Sequence, residues 1–265
     1  MHVSGELPTL APRALGRVGS LVPPVIWRVT HESSPAADVL GRAAAAGADW
    51  VLFDESVAAP AVPENLPLRT IVGIDLETLV ERTGQRLAAR FDALPGRRCD
   101  AVLLQRATAN DLKSGRPYSR LSRLRDDGRT SLLMLEAYDD AEAEWMVENT
   151  AAHAVSVPYS AGDQLVRYRV LEHARQLGVA LLAREPDVAR VAVAPEGDPV
   201  RFRLSDPDVT ATIEPLPRDE QALRDVLTRA SSPISEVERQ QRWELFQQNV
   251  PEPPKPRGGH PPEFA

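Results

Sequence analysis

Eight short apolar segments recur along the chain, with longer segments of mixed polarity between them. Each is apolar throughout instead of alternating between apolar and polar positions, which is typical of strands buried on both faces of a parallel sheet. The segments predict strands at residues 24–29, 50–53, 70–74, 101–104, 131–135, 154–157, 179–183 and 209–213.

The segments between these strands have the spacing of amphipathic helices. After the third strand, Leu79, Leu87 and Phe91 share one face, and Arg86 and Arg90 fall on another. Further helices are predicted at residues 37–48, 117–126, 141–149 and 164–177. Three glycines lie where helices should end, a preferred place for a left-handed residue: Gly47, Gly128 and Gly178.

Alternating strands and helices predict a (β/α)8 barrel, the TIM-barrel architecture. An open, doubly wound parallel sheet is the structural alternative. No GxGxxG motif follows the first strand, so the dinucleotide-binding form of that sheet has no support.

The carboxyl-terminal part of the chain differs in character. Residues 235–249 predict a closing helix with Val237, Trp243, Leu245 and Phe246 as its packing face. The residues after it are rich in proline and glycine, which predicts a disordered, flexible tail. The chain therefore divides into a barrel domain at 1–249 and a tail at 250–265.

Composition and charge narrow the classes of function. The 265 residues suit one barrel domain, and a net charge of −7 argues against nucleic acid or an anionic membrane as a partner. The single cysteine, Cys99, excludes an intramolecular disulfide and predicts a buried, reduced thiol. No apolar stretch is long enough to span a bilayer, and the first residues lack the apolar core of a signal peptide. These features predict a soluble, cytoplasmic protein.

Seven segments, in order from Arg13 to about Glu238, resemble the aldo-keto reductase family. RALGRVGSLVPPVIWRV is similar to the opening hairpin and first strand of that family, and AAAAGADWVLFD to its second strand. CDAVLLQRA, LSRLRDDGRTSLLML, AVSVPYS and GVALLAREP are similar to strands four to seven with their approaches. RFRLSDPDVTATIEPLPRDEQALRDVL is similar to the last strand and its flanking helices.

The resemblance implies carbonyl reduction by NADPH, with a tyrosine as general acid, a lysine paired with an aspartate, and a histidine that orients the substrate. This chain departs from that pattern. The segment between the second and third strands contains no tyrosine. The lysine position holds Gly73 or Ile74, and the histidine position holds Gln105. Direct counting puts Leu52 in the aspartate position, with Asp54 two residues on and on the same strand face.

The implied cofactor site is altered as well. The Ser-Asn pair after the fifth strand is Glu136-Ala137, and the glutamine of the sixth strand is Ser156. In the turn after the eighth strand, carboxylate and proline replace free backbone N–H groups. Arg184 and Arg218 are the candidate cofactor-binding residues. We therefore expect no cofactor, and NADPH only if the resemblance extends to function.

Polar residues near the strand ends should face the functional side of the barrel. They are Arg28, His31, Asp54, Glu55, Asp75, Gln105, Arg106, Glu136, Ser156, Tyr159, Arg184, Glu185 and Glu214. The catalytic candidates among them are Asp54, Glu136 and Tyr159. No metal site is expected, because His31 is the single histidine near a strand end that has carboxylates beside it.

Three functions stay open. The favoured interpretation is a non-redox pseudoenzyme that binds a small molecule or a protein partner. The alternatives are a re-purposed lyase, isomerase or cyclase that uses the mouth carboxylates, and an oxidoreductase with an atypical proton donor. A non-catalytic barrel should pair Arg28 and Arg184 each with a carboxylate and leave no cavity large enough for a small ligand, and the short link after Pro186 favours this closed form. An open pocket lined by Asp54, Glu136 and Tyr159 would favour an enzyme.

Overall fold

Eight parallel strands close into a barrel, which confirms the predicted fold over the open sheet. The computed structural model describes residues 7–31, 37–57, 62, 65–186 and 198–250. The barrel strands, which follow a separate two-stranded hairpin in the chain, are β3 (Val25–Val29), β4 (Trp50–Phe53), β5 (Arg69–Asp75), β6 (Cys99–Gln105), β7 (Thr130–Glu136), β8 (Ala154–Pro158), β9 (Ala180–Arg184) and β10 (Ala211–Pro215). Around the barrel they follow the order β10-β3-β4-β5-β6-β7-β8-β9.

Helices surround the barrel at the predicted places. They are α1 (Ala37–Ala45), α2 (Leu76–Val80), α3 (Gln85–Asp92), α4 (Ala109–Lys113), α5 (Arg116–Asp126), α6 (Asp140–Asn149), α7 (Leu165–Arg169), α8 (Leu171–Leu177), α9 (Pro199–Ser205), α10 (Glu220–Ala230) and α11 (Glu236–Asn249). The segment predicted as one helix at 164–177 is divided at Val170. Gly47, Gly128 and Gly178 have positive φ angles, as a left-handed helix end requires.

Side chains on each strand alternate between the barrel interior and the layer beneath the helices. The interior holds one cluster of buried apolar residues that includes Ile26, Leu52, Ile71, Leu103 and Leu182. The outward positions pack against the helices in two further clusters. Positions two residues beyond an interior side chain face the barrel axis again, and this parity decides which polar residues reach the mouth.

A short hairpin closes the amino-terminal end of the barrel. Strands β1 (Arg13–Ala14) and β2 (Leu21–Val22) pair antiparallel, as the resemblance implied, and Leu15 and Val22 join the interior cluster. Gly16 has φ of +52°, and a Cβ there would lie 2.3 Å from the carbonyl oxygen of Gly178. The hairpin therefore covers the amino-terminal end of the barrel, and the polar residues at the strand ends lie at the opposite end.

The packing face predicted for α11 is partly wrong. Val237 and Leu245 are 68% and 41% exposed, whereas Phe246 and Arg239 are buried. Arg239 forms an ion pair with the buried Asp206 at 3.1 Å, so a charged side chain holds the helix where an apolar one was expected. The tail predicted after the helix lies, from residue 251 onward, outside the described residues.

Two predictions from composition have counterparts in the structure. Cys99 is free and buried, and burial raises the pKa of its thiol to about 12. Within the described part of the chain, no helix combines the length and the apolar character that crossing a membrane requires.

Candidate functional site

A chain of hydrogen bonds crosses the barrel mouth from β3 to β7. Nε of Arg28 donates to Oδ2 of Asp54 at 2.8 Å, and a second N–H of the guanidinium donates to the same oxygen. Nε2 of Gln105 lies 3.2 Å from this oxygen and 3.3 Å from Oε2 of Glu136. The structure therefore joins two of the predicted candidates, Asp54 and Glu136, through an amide between them.

Gln105 occupies the space above Gly73 on the neighbouring strand. A Cβ built on Gly73 would lie 2.2 Å from Oε1 of Gln105 and 3.0 Å from the backbone nitrogen of Glu55. That N–H donates to the same oxygen of Gln105 at 3.0 Å. Because any side chain at residue 73 would displace the amide, the glycine and the glutamine depend on each other. The lysine that the resemblance would place here does not fit beside this glutamine.

Asp54 is held in its ionised form. Its side chain is 5% exposed, and this burial by itself would raise the pKa. The guanidinium of Arg28 and the backbone N–H of Ser56, which donates to Oδ1 at 3.1 Å, outweigh burial and lower the pKa below its ordinary value. An ionised and fully bonded carboxylate is a poor proton donor at neutral pH.

Glu55 and Asp75 form a second acidic group beside this chain. Oε1 of Glu55 pairs with Arg106 at 2.8 Å, and Oε2 is buried without a donor among the described residues. Burial raises the pKa of Glu55, and the negative charges of Asp75 and Asp54 add to that rise. Burial would also raise the pKa of Asp75, but the N–H of Thr78, which donates to it at 2.6 Å, contributes to a net lowering. The pKa values of the two carboxyl groups are thus displaced in opposite directions, and Glu55 is the weaker acid of the two.

Arg90 holds in place the segment after β4, which carries Asp54 and Glu55. It is 6% exposed and donates to the backbone carbonyl groups of Asp54, Glu55 and Val57 at distances of 2.7–2.9 Å. The sequence placed it on the polar face of a helix, which normally faces solvent. Nothing local distinguishes it from Arg86, because its acceptors lie more than 30 residues away in the chain.

The β7–β9 side of the mouth is less fully bonded. Ser156 is 0% exposed, and its Oγ has no hydrogen-bond partner in the described structure. Arg184 donates to the carbonyl oxygens of Ala137 at 2.9 Å and Glu185 at 3.2 Å, while its Nε is buried without a partner. The expected carboxylate contact is therefore confirmed for Arg28 and wrong for Arg184, as far as the described residues show.

Tyr159 does not join the mouth cluster. Its side chain is fully buried among the residues between barrel and helices, and its hydroxyl donates to Oδ2 of Asp206 at 2.9 Å. Its ring packs on that of Phe202, with centroids 5.4 Å apart. Burial and the charge of Asp206 raise the pKa of Tyr159 well above its ordinary value. The structure therefore corrects the expectation that Tyr159 lines a pocket with Asp54 and Glu136.

Glu214 also faces the outer layer, which corrects its predicted place. Its Oε1 accepts from Arg203 at 2.5 Å, and Arg203 donates further to Thr212 at 2.8 Å and to Glu185 at 2.7 Å. Arg203 is 1% exposed, so this cluster is an internal ion network. The interior position of β10 is Ile213, and one residue's difference along the strand turns Glu214 away from the axis.

The residues at the start of α10 do not fit the pyrophosphate of a dinucleotide, which the resemblance would place there. Pro215 has no N–H, and the next N–H donates to the carbonyl oxygen of Arg28. Asp219 caps the helix with its own carboxylate, and Glu220 follows it. Anions prefer free N–H groups and positive charge at a helix start, and two carboxylates oppose this. Arg218 is exposed there.

The one cluster of described residues with metal-ligand spacing lies outside the barrel. It consists of Glu144 and Glu148 on α6 with His173 on α8, and Glu148 and His173 are largely exposed. His31 belongs to no such group in the described part of the chain, and its backbone N–H lies 3.4 Å from Oγ of Ser56. The polar residues that the structure describes at the mouth are connected by hydrogen bonds and ion pairs.

These features define a (β/α)8 barrel whose amino-terminal end is closed by a hairpin and whose polar site lies at the strand carboxyl ends. Solved structures of several aldo-keto reductases have this form. A putative one from Pseudomonas aeruginosa is 20% identical, with a TM-score of 0.62 over 86% of this chain and 98% of its own. A thermostable one, solved with the inhibitor epalrestat, is 15% identical, with a TM-score of 0.66 over 89% and 100%.

The holo form of an aldo-keto reductase from Bacillus halodurans is similar to the same degree. It is 15% identical, with a TM-score of 0.66 over 92% of this chain and 98% of its own. No family model and no curated protein matches the sequence. At this level of identity the similarity establishes the aldo-keto reductase fold, and the activity has to be argued from the residues of the site.

Proposed function

We propose that this chain is a divergent aldo-keto reductase relative that has lost carbonyl reduction and binds a small polar molecule at its barrel mouth. The observation that carries the proposal is the amide of Gln105. It lies over Gly73 and connects Asp54 with Glu136, so it uses the space that a catalytic lysine and its substrate-orienting neighbour would need. The site therefore differs from a reductase site in the hydrogen bonds that join its residues, and not only by one substitution.

The remaining groups do not supply the missing acid. Asp54 is ionised against Arg28, and Tyr159 is bonded to Asp206 away from the axis. Among the described residues, the mouth offers instead two buried donors without partners, the hydroxyl of Ser156 and Nε of Arg184, on the side of the barrel that carries Glu136. An unsatisfied buried polar group costs about 1–3 kcal/mol, so a site that retains two is suited to a ligand that satisfies them.

The proposal predicts no NADPH-dependent reduction of a reactive aldehyde such as 4-nitrobenzaldehyde. The full chain should oxidise NADPH no faster than a protein-free blank, because the start of α10 does not suit the cofactor's pyrophosphate and the tyrosine and lysine that the resemblance implies are missing from their positions. An authentic NADPH-dependent aldo-keto reductase, assayed beside it, shows that the conditions support turnover. A steady rate proportional to the concentration of this protein would contradict the proposal.

A second candidate function, non-redox acid–base catalysis, is favoured by one observation. Glu55 and Asp75 adjoin each other at the mouth with pKa values displaced in opposite directions. Such a division equips one carboxyl to donate a proton and the other to accept one. In this alternative, a lyase or isomerase would use Glu55 as the acid and Asp75 as the base.

Stability as a function of pH tests whether this pair is divided as described. A folded-state pKa raised for Glu55 contributes stability at low pH that is lost as pH rises above 4.5, the ordinary pKa of a glutamic acid. Glu55→Gln should therefore be more stable than wild type at neutral pH. Asp75, with its lowered pKa, contributes in the opposite sense, so Asp75→Asn should be less stable there. Urea unfolding at pH 4 and pH 7 measures both differences, and shifts of the same sign would exclude the acid–base alternative.

A further inference from the structure

We infer that the β7–β9 side of the mouth is a subsite for the zwitterionic head of an α-amino acid. The inference rests on the proposed function, because it names the ligand class of the same mouth. It begins with Ser156, which is 0% exposed and whose hydroxyl has no partner among the described residues. In the barrel, Ser156 lies in register with Glu136 on β7 and with Leu182 on β9, so its side chain stands beside the carboxylate.

Arg184 supplies the positive charge of the subsite. It lies two residues beyond the interior residue Leu182, so it also faces the barrel axis. Two of its nitrogens hold backbone carbonyl groups, which keeps the guanidinium in place, and Nε remains buried with its donor unused. No carboxylate in the described structure neutralises it. A fixed guanidinium with an unused donor, near an unused hydroxyl, suits a carboxylate ligand.

Glu136 supplies the matching negative charge. Nη2 of Arg184 lies 2.9 Å from the carbonyl oxygen of Ala137, the residue after Glu136, so the guanidinium reaches the end of β7 that carries Glu136. Gln105 donates to Oε2 of Glu136, and Oε1 accepts no hydrogen bond from the described residues. A carboxylate that is free to accept favours a cationic donor. Opposite charges at one end of β7, each with an atom that has no partner among the described residues, match the ammonium and carboxylate of one amino acid.

The rest of the mouth explains why the charge is confined to this side. Arg28 and Asp54 neutralise each other, and Arg106 pairs with Glu55. Arg90 also donates only to backbone carbonyl groups, but it lies on helix α3 and not at a strand end. Of the three arginines Arg28, Arg106 and Arg184, only Arg184 has no carboxylate partner in the described structure, so the β7–β9 side presents one positive and one negative group. The subsite should recognise the head of the ligand, and its side chain would point out of the barrel into solvent or toward the loops.

Three small probes separate the two charges of the proposed ligand. Glycine carries both, acetate the carboxylate alone, and methylammonium the ammonium alone. NMR titration of the isotope-labelled full chain should show glycine shifting the backbone resonances of Ser156 and Arg184, with an affinity at least about tenfold tighter than either single-charge probe. Equal affinity for glycine and acetate, or no shift at these residues, would overturn the inference.

Two variants assign the charges. Arg184→Gln should abolish binding of both glycine and acetate, whereas Glu136→Gln should retain acetate binding and lose the preference for glycine. If Arg184→Gln does not fold, Ser156→Ala removes one donor of the carboxylate and should weaken glycine binding several-fold. Glycine affinity unchanged in Glu136→Gln would overturn the inference. The outcomes are distinguishable from failure of the proposed function: NADPH turnover refutes that function whatever glycine does, and absent glycine binding without NADPH turnover refutes only the subsite.

Discussion

Replacing Arg203 with Met should lower the free energy of unfolding by about 3–5 kcal/mol, the cost of removing one partner from a buried ion pair. Arg203 is 1% exposed and donates to Glu214, Thr212 and Glu185. Methionine has a similar length and keeps much of the apolar packing. The loss would therefore come from Glu214, whose buried carboxylate loses the cation that it is paired with.

The matched control is Arg201→Met on the same helix. Arg201 bonds to the carbonyl oxygen of Ser232 in a solvent-exposed setting, so its loss should cost less than about 1 kcal/mol. Urea unfolding at neutral pH measures both variants. Equal effects for the two arginines would show that the network around Glu214 contributes little, and that the outward placement of this glutamate has no energetic consequence.

The second large effect concerns Gly73. Alanine at this position should destabilise the protein by about 1–3 kcal/mol, because the added methyl group overpacks a filled space. It would lie 2.2 Å from Oε1 of Gln105 and 3.0 Å from the nitrogen of Glu55, and backbone cannot move as freely as a side chain. Displacing Gln105 also breaks its hydrogen bonds to Asp54 and Glu136.

A double-variant cycle identifies the cause of this loss. In a Gln105→Ala background the space above residue 73 is vacant, so Gly73→Ala should cost much less than in wild type. Gly41→Ala, in helix α1, is a control with the same chemical change, and alanine is favoured over glycine in a helix by about 1 kcal/mol. If the cost of Gly73→Ala is the same in both backgrounds, Gln105 does not define this space.

The barrel was predictable because strands buried on both faces are apolar throughout, and that signal does not depend on distant contacts. All eight segments are strands, with ends within two residues of the predicted ones. Asp54 and Glu136 were found for a related reason: each stands at the carboxyl end of such a strand. What their positions could not reveal was the amide of Gln105 between them, since that contact depends on the register of four neighbouring strands, β4 to β7.

Two features explain why some residues were misplaced from the sequence. One is the face of the strand on which Glu214 lies, and the other is the burial of three arginines. Glu214 lies within two residues of a strand end, as Glu136 does, but the opposite parity turns it away from the axis. Arg90, Arg203 and Arg239 are all buried, although arginine normally marks the solvent face of a helix. Their partners come from other elements of the fold. A single sequence carries no local sign of such pairs, because burial is favourable only once the distant partner is in place.

We propose that this barrel has the fold of the aldo-keto reductases without their cofactor chemistry, and calorimetric titration with NADPH is the sharpest test. It depends neither on a chosen carbonyl substrate nor on a rate. We expect a dissociation constant no tighter than about 1 mM, because the carboxylates at the start of α10 oppose phosphate and the mouth lacks the expected cofactor contacts. A dissociation constant in the micromolar range, with one NADPH bound per chain, would contradict it.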